Sequence, residues 1–447
     1  LINFPLSYIL SQLINRSLSS GIMPTLLKVG KQTPVFKGGD ICFSNHRPIT
    51  VVNSFSKIFE KITASRLTSY LDRYKILNNR QFGFRKHHST IHAMINLLDT
   101  CLDGLNERLT VGGIFLDISK AFDSVDHSIL LAKLENYGIR GIVLQWFKSY
   151  LCERELFVSV NGTSSVKYLL EYGVPQGSVL GPILFLLYIN DVVASSEQFI
   201  FSMFADDTAL ILKIDRAQYD DCIRTELLNV MTWFDANKLL LNVDKTKYLY
   251  FGPEYNTIKA LHSITPDFIY KKSLDDNYQQ PENSEVKYLG VIFDNNLNFD
   301  KQIHSTAMKV SRMVGILWQC KDLPLDAKLT IYHSLVASYL NYGILIWGSQ
   351  LAKNLAGRYE LKHVPNHLKK LNTAHNKVIR AITRSKKYNK ETRVVTHTAP
   401  LLKQLKLLSL NDVYYLQLAL FAFDCLRSTN LPSLFDDYVT SREGVHS

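Results

Sequence analysis

Two aspartates stand side by side in Phe204-Ala205-Asp206-Asp207, between the apolar runs Phe199–Met203 and Thr208–Leu212. Both runs are short and rich in β-branched and aromatic residues, as buried strands are. They predict a β-hairpin with two adjacent carboxylates at its tip. Neighbouring ionised carboxylates repel each other and are costly to desolvate. A divalent cation removes that cost, and a solvated Asp-Asp turn avoids it. The string alone leaves both readings open.

A second string narrows the choice. Val111-Gly112-Gly113-Ile114-Phe115-Leu116-Asp117 reads as another buried strand ending in a carboxylate. Two metal ions about 4 Å apart need oxygen ligands from several segments. Asp117 facing Asp206 and Asp207 supplies such a set, and the reaction it serves is in-line displacement at phosphorus. Between the two strings lies Gly173-Val174-Pro175-Gln176-Gly177-Ser178-Val179-Leu180-Gly181-Pro182, too rich in Gly and Pro for a regular element. The apolar run 183–189 after it reads as helix. A Gly-rich loop opening a helix brings backbone close to a ligand, and the helix N-terminus favours an anion; a simple turn is the alternative.

These strings resemble reverse transcriptases in order and spacing. Phe115 to Asp123, Gly173 to Ser178 and Phe204 to Thr208 carry the likeness, which is strongest to the polymerases of non-LTR (LINE-like) retrotransposons of the jockey-like group. Pro34 to Asp40, Asn45-His46-Arg47-Pro48-Ile49 and Gln81-Phe82-Gly83-Phe84-Arg85 with Ser89-Thr90 look like the fingers motifs. Tyr188-Ile189-Asn190-Asp191 follows the Gln-Gly loop as in the family. Asn242 to Lys247 and Lys287-Tyr288-Leu289-Gly290 look like the later palm motifs. The likeness runs from about residue 20 to 300, with weaker echoes to about 415. Three departures stand out: Leu156 replaces a Gln, Gly38 leaves Lys37 as a single base, and His46 replaces a Tyr.

The resemblance implies an α+β right-hand polymerase, with fingers, an antiparallel-sheet palm and a helical thumb. It divides the chain into an N-terminal helical extension (1–27), fingers and palm (28–295), thumb (296–385) and a C-terminal helical segment (386–447). It implies an RNA-directed DNA polymerase that extends a DNA primer, or nicked target DNA, on an RNA template with dNTPs. Two Mg²⁺ ions, with Mn²⁺ as substitute, would be held by Asp117, Asp206, Asp207 and the Ile118 carbonyl. Lys37 and Arg47 would pair the triphosphate, cationic side chains suiting phosphate oxygens. Phe122 would pack under the sugar, Gln176 and Gly177 would border the nucleotide, and Lys245 would protonate the pyrophosphate. An RNA-dependent RNA polymerase, an inactive RNA-binding scaffold and a small-molecule phosphotransferase remain as alternatives. Placement in the nucleus and in a cytoplasmic ribonucleoprotein is implied; no targeting signal is identified. The chain opens on Leu1, so it reads as a fragment. Elements of this type carry an endonuclease ahead of the polymerase, and no stretch matches one.

Composition agrees. A chain of 447 residues with 46% hydrophobic residues suggests two or three domains of a soluble globular protein. No apolar stretch reaches the ~18 residues of a membrane span. Six scattered Cys without a CxxC pair fit a reducing compartment. His363 and His367 lack Cys partners and read as surface histidines. Between Lys353 and Arg393 twelve Lys/Arg face two Glu, which is +10 of the chain's net +11. A concentrated basic segment is the electrostatic footprint of nucleic-acid binding, and Lys369, Lys370, Lys377 and Arg380 are its candidate contacts; a solvated helix face is the bland alternative. Helical spacing places Phe55, Ile58, Phe59, Ile62, Leu67 and Leu71 on one face after Asn53-Ser54. It places Leu227, Leu228, Met231, Phe234 and Leu239 inward on a helix over 221–241. Residues 253–284 read as an irregular excursion, and 300–347 as helical with Trp318 and Trp347 in the core.

Overall fold

The computed structural model describes residues 3–40, 42, 45–242, 245–252, 285–320, 322–352, 366–386, 397–427 and 431–439. The excursion expected over 253–284 lies outside them. Along the chain run α1 (Asn3–Ser20), β1 (Val29–Phe36), β2 (His46–Val52), α2 (Ser54–Arg73), α3 (Thr90–Asn106), β3 (Thr110–Leu116), α4 (His127–Asn136), α5 (Gly141–Leu151), β4 (Glu155–Val160), α6 (Leu180–Ile189), β5 (Ile200–Phe204), β6 (Asp207–Ile214), α7 (Arg216–Ala236) and β7 (Lys247–Phe251). Then follow β8 (Glu285–Tyr288), β9 (Val291–Asp294), α8 (Asp300–Gln319), short helical turns between 325 and 352, α9 (Asn366–Thr383), α10 (Thr398–Leu405) and α11 (Leu410–Arg427). Helix and strand are mixed as expected. The chain divides into two compact units: residues 1–86, 116–212 and 217–246, and residues 87–115, 213–216 and 247–447.

The first unit is built around α6. Leu184 to Ile189 are at most 1% exposed, so this helix is apolar on every face and lies in the core. Caps fix the surrounding helices. Asn53 accepts from the Phe55 N–H at 2.8 Å to start α2, and Asp126 accepts from the Ser128 and Ile129 N–H groups to start α4. β1 pairs antiparallel with β2 (Gly30↔Val52 to Phe36↔His46) and parallel with β4. Leu156, the departure from the family's Gln, is 1% exposed within this sheet. β5 and β6 form the expected hairpin, from Ile200↔Ile211 to Phe204↔Asp207.

In the second unit β3 pairs antiparallel with β7, and α8 packs along α9. The helical stretch expected over 300–347 breaks after Gln319. Pro324 opens a new helix, and Gly343, at φ 67°, lets the chain turn again. Trp347 is fully buried, but Trp318 is 54% exposed and not core. Other helical phases also differ from expectation. Leu228 and Phe55 face solvent, and α7 ends at Ala236, so buried Leu239 lies beyond it. Cys101, Cys152, Cys222, Cys320 and Cys425 form no disulfide. No helix among the described residues is long and apolar enough to cross a membrane.

Candidate active site

Every residue of this site lies in the first unit. Asp117 leaves β3 and is strapped by residues 240–246. The Asn242 N–H donates to the Asp117 carbonyl at 2.8 Å, the Ser119 N–H to the Leu240 carbonyl at 2.7 Å, and Ile118 bridges Leu241. Thr246 Oγ1 accepts from the Asp117 N–H at 3.5 Å. The same strap carries Lys245, whose Nζ lies 3.9 Å from Asp117 Oδ2.

The β5–β6 hairpin turns through Ala205 and Asp206. Ala205 is 2% exposed and sits in left-handed backbone at φ 57°. A residue with a Cβ is strained there and needs neighbours that hold it. Asp206 is half-buried, while the Asp207 side chain reaches solvent. Both carboxyls are pushed up from the usual range, by desolvation first. For Asp207 the charges of Asp206 and Asp117 add to it and bring it to about 6; for Asp206 it is the charge of Asp117. Arg47 opposes the rise at both. The three aspartates therefore share one electrostatic site, in which Lys245 and Arg47 only partly offset their mutual repulsion.

Among the described residues, no three metal-ligating side chains converge closely enough to hold an ion as they stand. The donor set itself, three mutually repelling carboxylates, suits a hard divalent cation.

Asp123 ends the Phe115–Asp123 string, and sequence alone assigns it no role. Its two oxygens accept from Gln176 Nε2, each at 3.0 Å. Burial raises its pKa, against the Gln176 bond, Lys120 and Lys37. The Gln-Gly loop is also locked through its backbone. The Thr50 N–H donates to the Gln176 carbonyl at 2.6 Å. Gly177, at φ 109°, lies so close to Thr50 that a Cβ would meet its carbonyl oxygen at 2.6 Å. Lys37 and Arg47 stand at the same end of the β1–β2 pair. Phe122 is half-buried, stacked on Phe185 with centroids 4.8 Å apart and edge-on to Phe84 at 6.3 Å.

One expectation is corrected. The first N–H groups of α6 are not free for a ligand anion. Val179 and Leu180 donate to Glu60 Oε2 at 2.6 and 3.4 Å, so a buried carboxylate from α2 already caps this end.

In the second unit, Lys369, Lys370 and Lys377 are exposed on α9. With His304 and Ser311 of α8 they line a groove of about 450 Å³. Arg380 is half-buried and turns back to the Asn376 carbonyl. Lys353, Arg358, Lys362, Lys387, Lys390 and Arg393 of the basic block lie outside the described residues, as does His363. His367 pairs with Asp300 at 2.8 Å and is not a free surface histidine.

The chain matches the family described as reverse transcriptase (RNA-dependent DNA polymerase) over residues 32–293. It belongs to the reverse transcriptase family, whose members generally use divalent metal ions. It is similar to the "Probable RNA-directed DNA polymerase from transposon X-element" of Drosophila melanogaster, 30% identical over 76% of this chain and 36% of that protein. It is also similar to the "RNA-directed DNA polymerase from mobile element jockey" of the same organism, 28% identical over 76% of this chain and 37% of that protein. The chain thus spans little more than a third of the length of these relatives. Among solved structures, Candida albicans telomerase in complex with a fragment of telomeric RNA aligns with a TM-score of 0.44, at 13% identity, over 90% of this chain and 69% of the other.

Proposed function

We propose that the chain is the polymerase part of a non-LTR retrotransposon protein, extending a DNA primer on an RNA template with dNTPs. The observation that carries this is the electrostatic coupling of Asp117 to the Asp206–Asp207 hairpin tip, with Arg47 facing it. Two Mg²⁺ ions held by Asp117, Asp206, Asp207 and the Ile118 carbonyl would activate the attacking oxygen and neutralise the leaving phosphates. The primer 3′-oxygen attacks the α-phosphorus of the dNTP in line. The new P–O bond forms as the bond to pyrophosphate breaks, and Lys245, beside Asp117, would protonate the leaving group. Arg47 and Lys37 pair the triphosphate oxygens. Asp123 fixes the Gln176 amide with Nε2 turned inward, so its Oε1 is left to meet the nucleotide beside Gly177. Positioning and charge neutralisation supply the catalysis. Thumb and C-terminal segment are the assignments we give to 296–385 and 386–447, and a nuclear and ribonucleoprotein location follows from the same reading.

The test is primer extension on a defined RNA template with Mg²⁺. DNA synthesis that requires dNTPs and a divalent ion is expected. RNA binding without any extension would favour the inactive-scaffold reading, and extension with rNTPs in preference to dNTPs an RNA polymerase.

The basic face of α9 has its own test. Lys369, Lys370, Lys377 and Arg380 replaced together by Gln should weaken binding of all RNA sequences alike, because phosphate contacts carry no base information. Each lost contact lowers the slope of log K against log salt by roughly 0.7–0.9. A combined drop of about 3 is expected. A slope equal to the parent's would make this face merely solvated.

A further inference from the structure

Gln81-Phe82-Gly83 has no part in the chemistry proposed above, yet it is built against the catalytic hairpin. Gln81 bridges Met203 in parallel: the Met203 N–H donates to the Arg80 carbonyl at 3.0 Å, and the Phe82 N–H to the Met203 carbonyl at 2.8 Å. The Gln81 side chain is fully buried. Its Oε1 accepts from the Gly83 N–H at 2.8 Å and from the Ala205 N–H at 2.9 Å. Two backbone donors on one oxygen fix which way the amide faces. Gly83 abuts the same turn: a Cβ there would meet the Ala205 nitrogen at 2.5 Å. Arg85 braces the segment from behind, donating to the Asn78 and Gln81 carbonyls at 2.7 and 3.1 Å.

We infer that Gln81 is a positioning residue for the paired carboxylates: its Oε1 holds the left-handed Ala205 and so fixes the turn that aims Asp206 and Asp207. The physical need is plain. Ala205 is strained in left-handed backbone, and its two followers repel each other. Without an outside acceptor the turn would relax to other conformations and spread the carboxylates. Gln81 supplies that acceptor from a segment 124 residues away, and the Cβ-less Gly83 lets it approach. The role in aiming the carboxylates rests on the polymerase reading; the clamp on the turn does not.

The experiment separates the two. Gln81→Met keeps the side-chain length and removes the acceptor; Gln81→Glu keeps an acceptor. Hydrogen exchange of peptides covering residues 200–210 is measured on the full chain, together with Mn²⁺ binding. For Gln81→Met, exchange at Ala205 about tenfold faster is expected. Mn²⁺ half-saturation about tenfold higher and a lower kcat, at a nearly unchanged KM for dNTP, should accompany it. Gln81→Glu should restore protection of Ala205. Parent-like exchange in Gln81→Met, or exchange in Gln81→Glu as fast as in Gln81→Met, would overturn the clamp. Faster exchange in Gln81→Met with parent-like Mn²⁺ binding would overturn its role in aiming the carboxylates. Should Gln81→Met not fold, Gln81→Asn reads the same quantities, since it withdraws the acceptor by one methylene. A parent that binds no Mn²⁺ and extends no primer sinks the polymerase reading and the aiming role with it, while the exchange data still judge the clamp.

Discussion

Asp206→Asn is expected to abolish primer extension, with a loss of at least about 10³ in kcat/KM, while RNA binding stays at the parent value. The substitution keeps shape and removes one negative charge from a site whose chemistry is charge neutralisation. Asp117→Asn should behave alike. Misfolding is excluded by a stability comparison whose sign runs opposite to ordinary damage. Asp207 shows it best, because its native carboxyl is pushed up to about 6. An acid whose native pKa is raised costs stability when ionised. That cost is complete above pH 6, shrinks as pH falls, and is gone below the unfolded pKa of about 4. Metal-free Asp207→Asn should therefore have a Tm at or above the parent's at pH 7.5, with the advantage lost near pH 3.5. Added Mg²⁺ should raise the parent's Tm and leave the Asn variants unmoved, since only a ligand that binds the native state stabilises it. An Asp206→Asn protein that extends primers normally would remove Asp206 from the metal site.

The parts legible in the sequence are those that local pattern determines. Paired apolar runs around Asp206–Asp207 specify a hairpin, and the structure has it from Phe204↔Asp207 inward. Asn53 and the apolar spacing after it specify α2, cap included. Phase on a helix is less secure. Leu228 sits beside Leu227 in the sequence, yet one is 65% exposed and the other 1%. Adjacent positions differ by about 100° around the axis, so a run of apolar residues cannot all face inward.

The pairing of Asp117 with Asp206 and Asp207 was legible from their chemistry, but three other contacts between distant segments were not. Gln176 meets Asp123 across 53 residues, Glu60 reaches the start of α6 across 119, and Gln81 reaches Ala205 across 124. Each involves an ordinary polar residue whose partner only the fold selects. One signal was available: Gln81 and Asp123 both lie within motif strings that the chemistry of the three aspartates does not need.

Phe122→Ala is expected to lower the preference for dCTP over CTP, read as the ratio of kcat/KM values on one RNA template, by at least about tenfold. A pocket that rejects an added hydroxyl can do so only by a clash, and removing the clashing group relaxes choice more than it harms the proper substrate. Phe122 has the setting such a gate needs. It lies on the turn five residues after Asp117, and Lys120, at φ 48°, reverses the chain just before it. Stacking on Phe185 at 4.8 Å, with Phe84 edge-on, fixes the plane of the ring. Because Phe185 is fully buried in α6, the ring cannot retreat into the core to admit a 2′-OH. The contrary view makes Phe122 a packing residue only. Both views predict some loss of stability, about 2 kcal/mol for a half-buried ring against ~3–5 kcal/mol for a fully buried one. They part at the nucleotide. Packing alone would lower Tm and depress dCTP and CTP use together, leaving the ratio at the parent value. A gate changes the ratio through CTP, whose kcat/KM rises in absolute terms although the protein is less stable. A less stable variant with higher activity on the larger sugar has no packing explanation, and an unchanged ratio in a variant that still extends primers would remove the main support for dNTPs as the substrate.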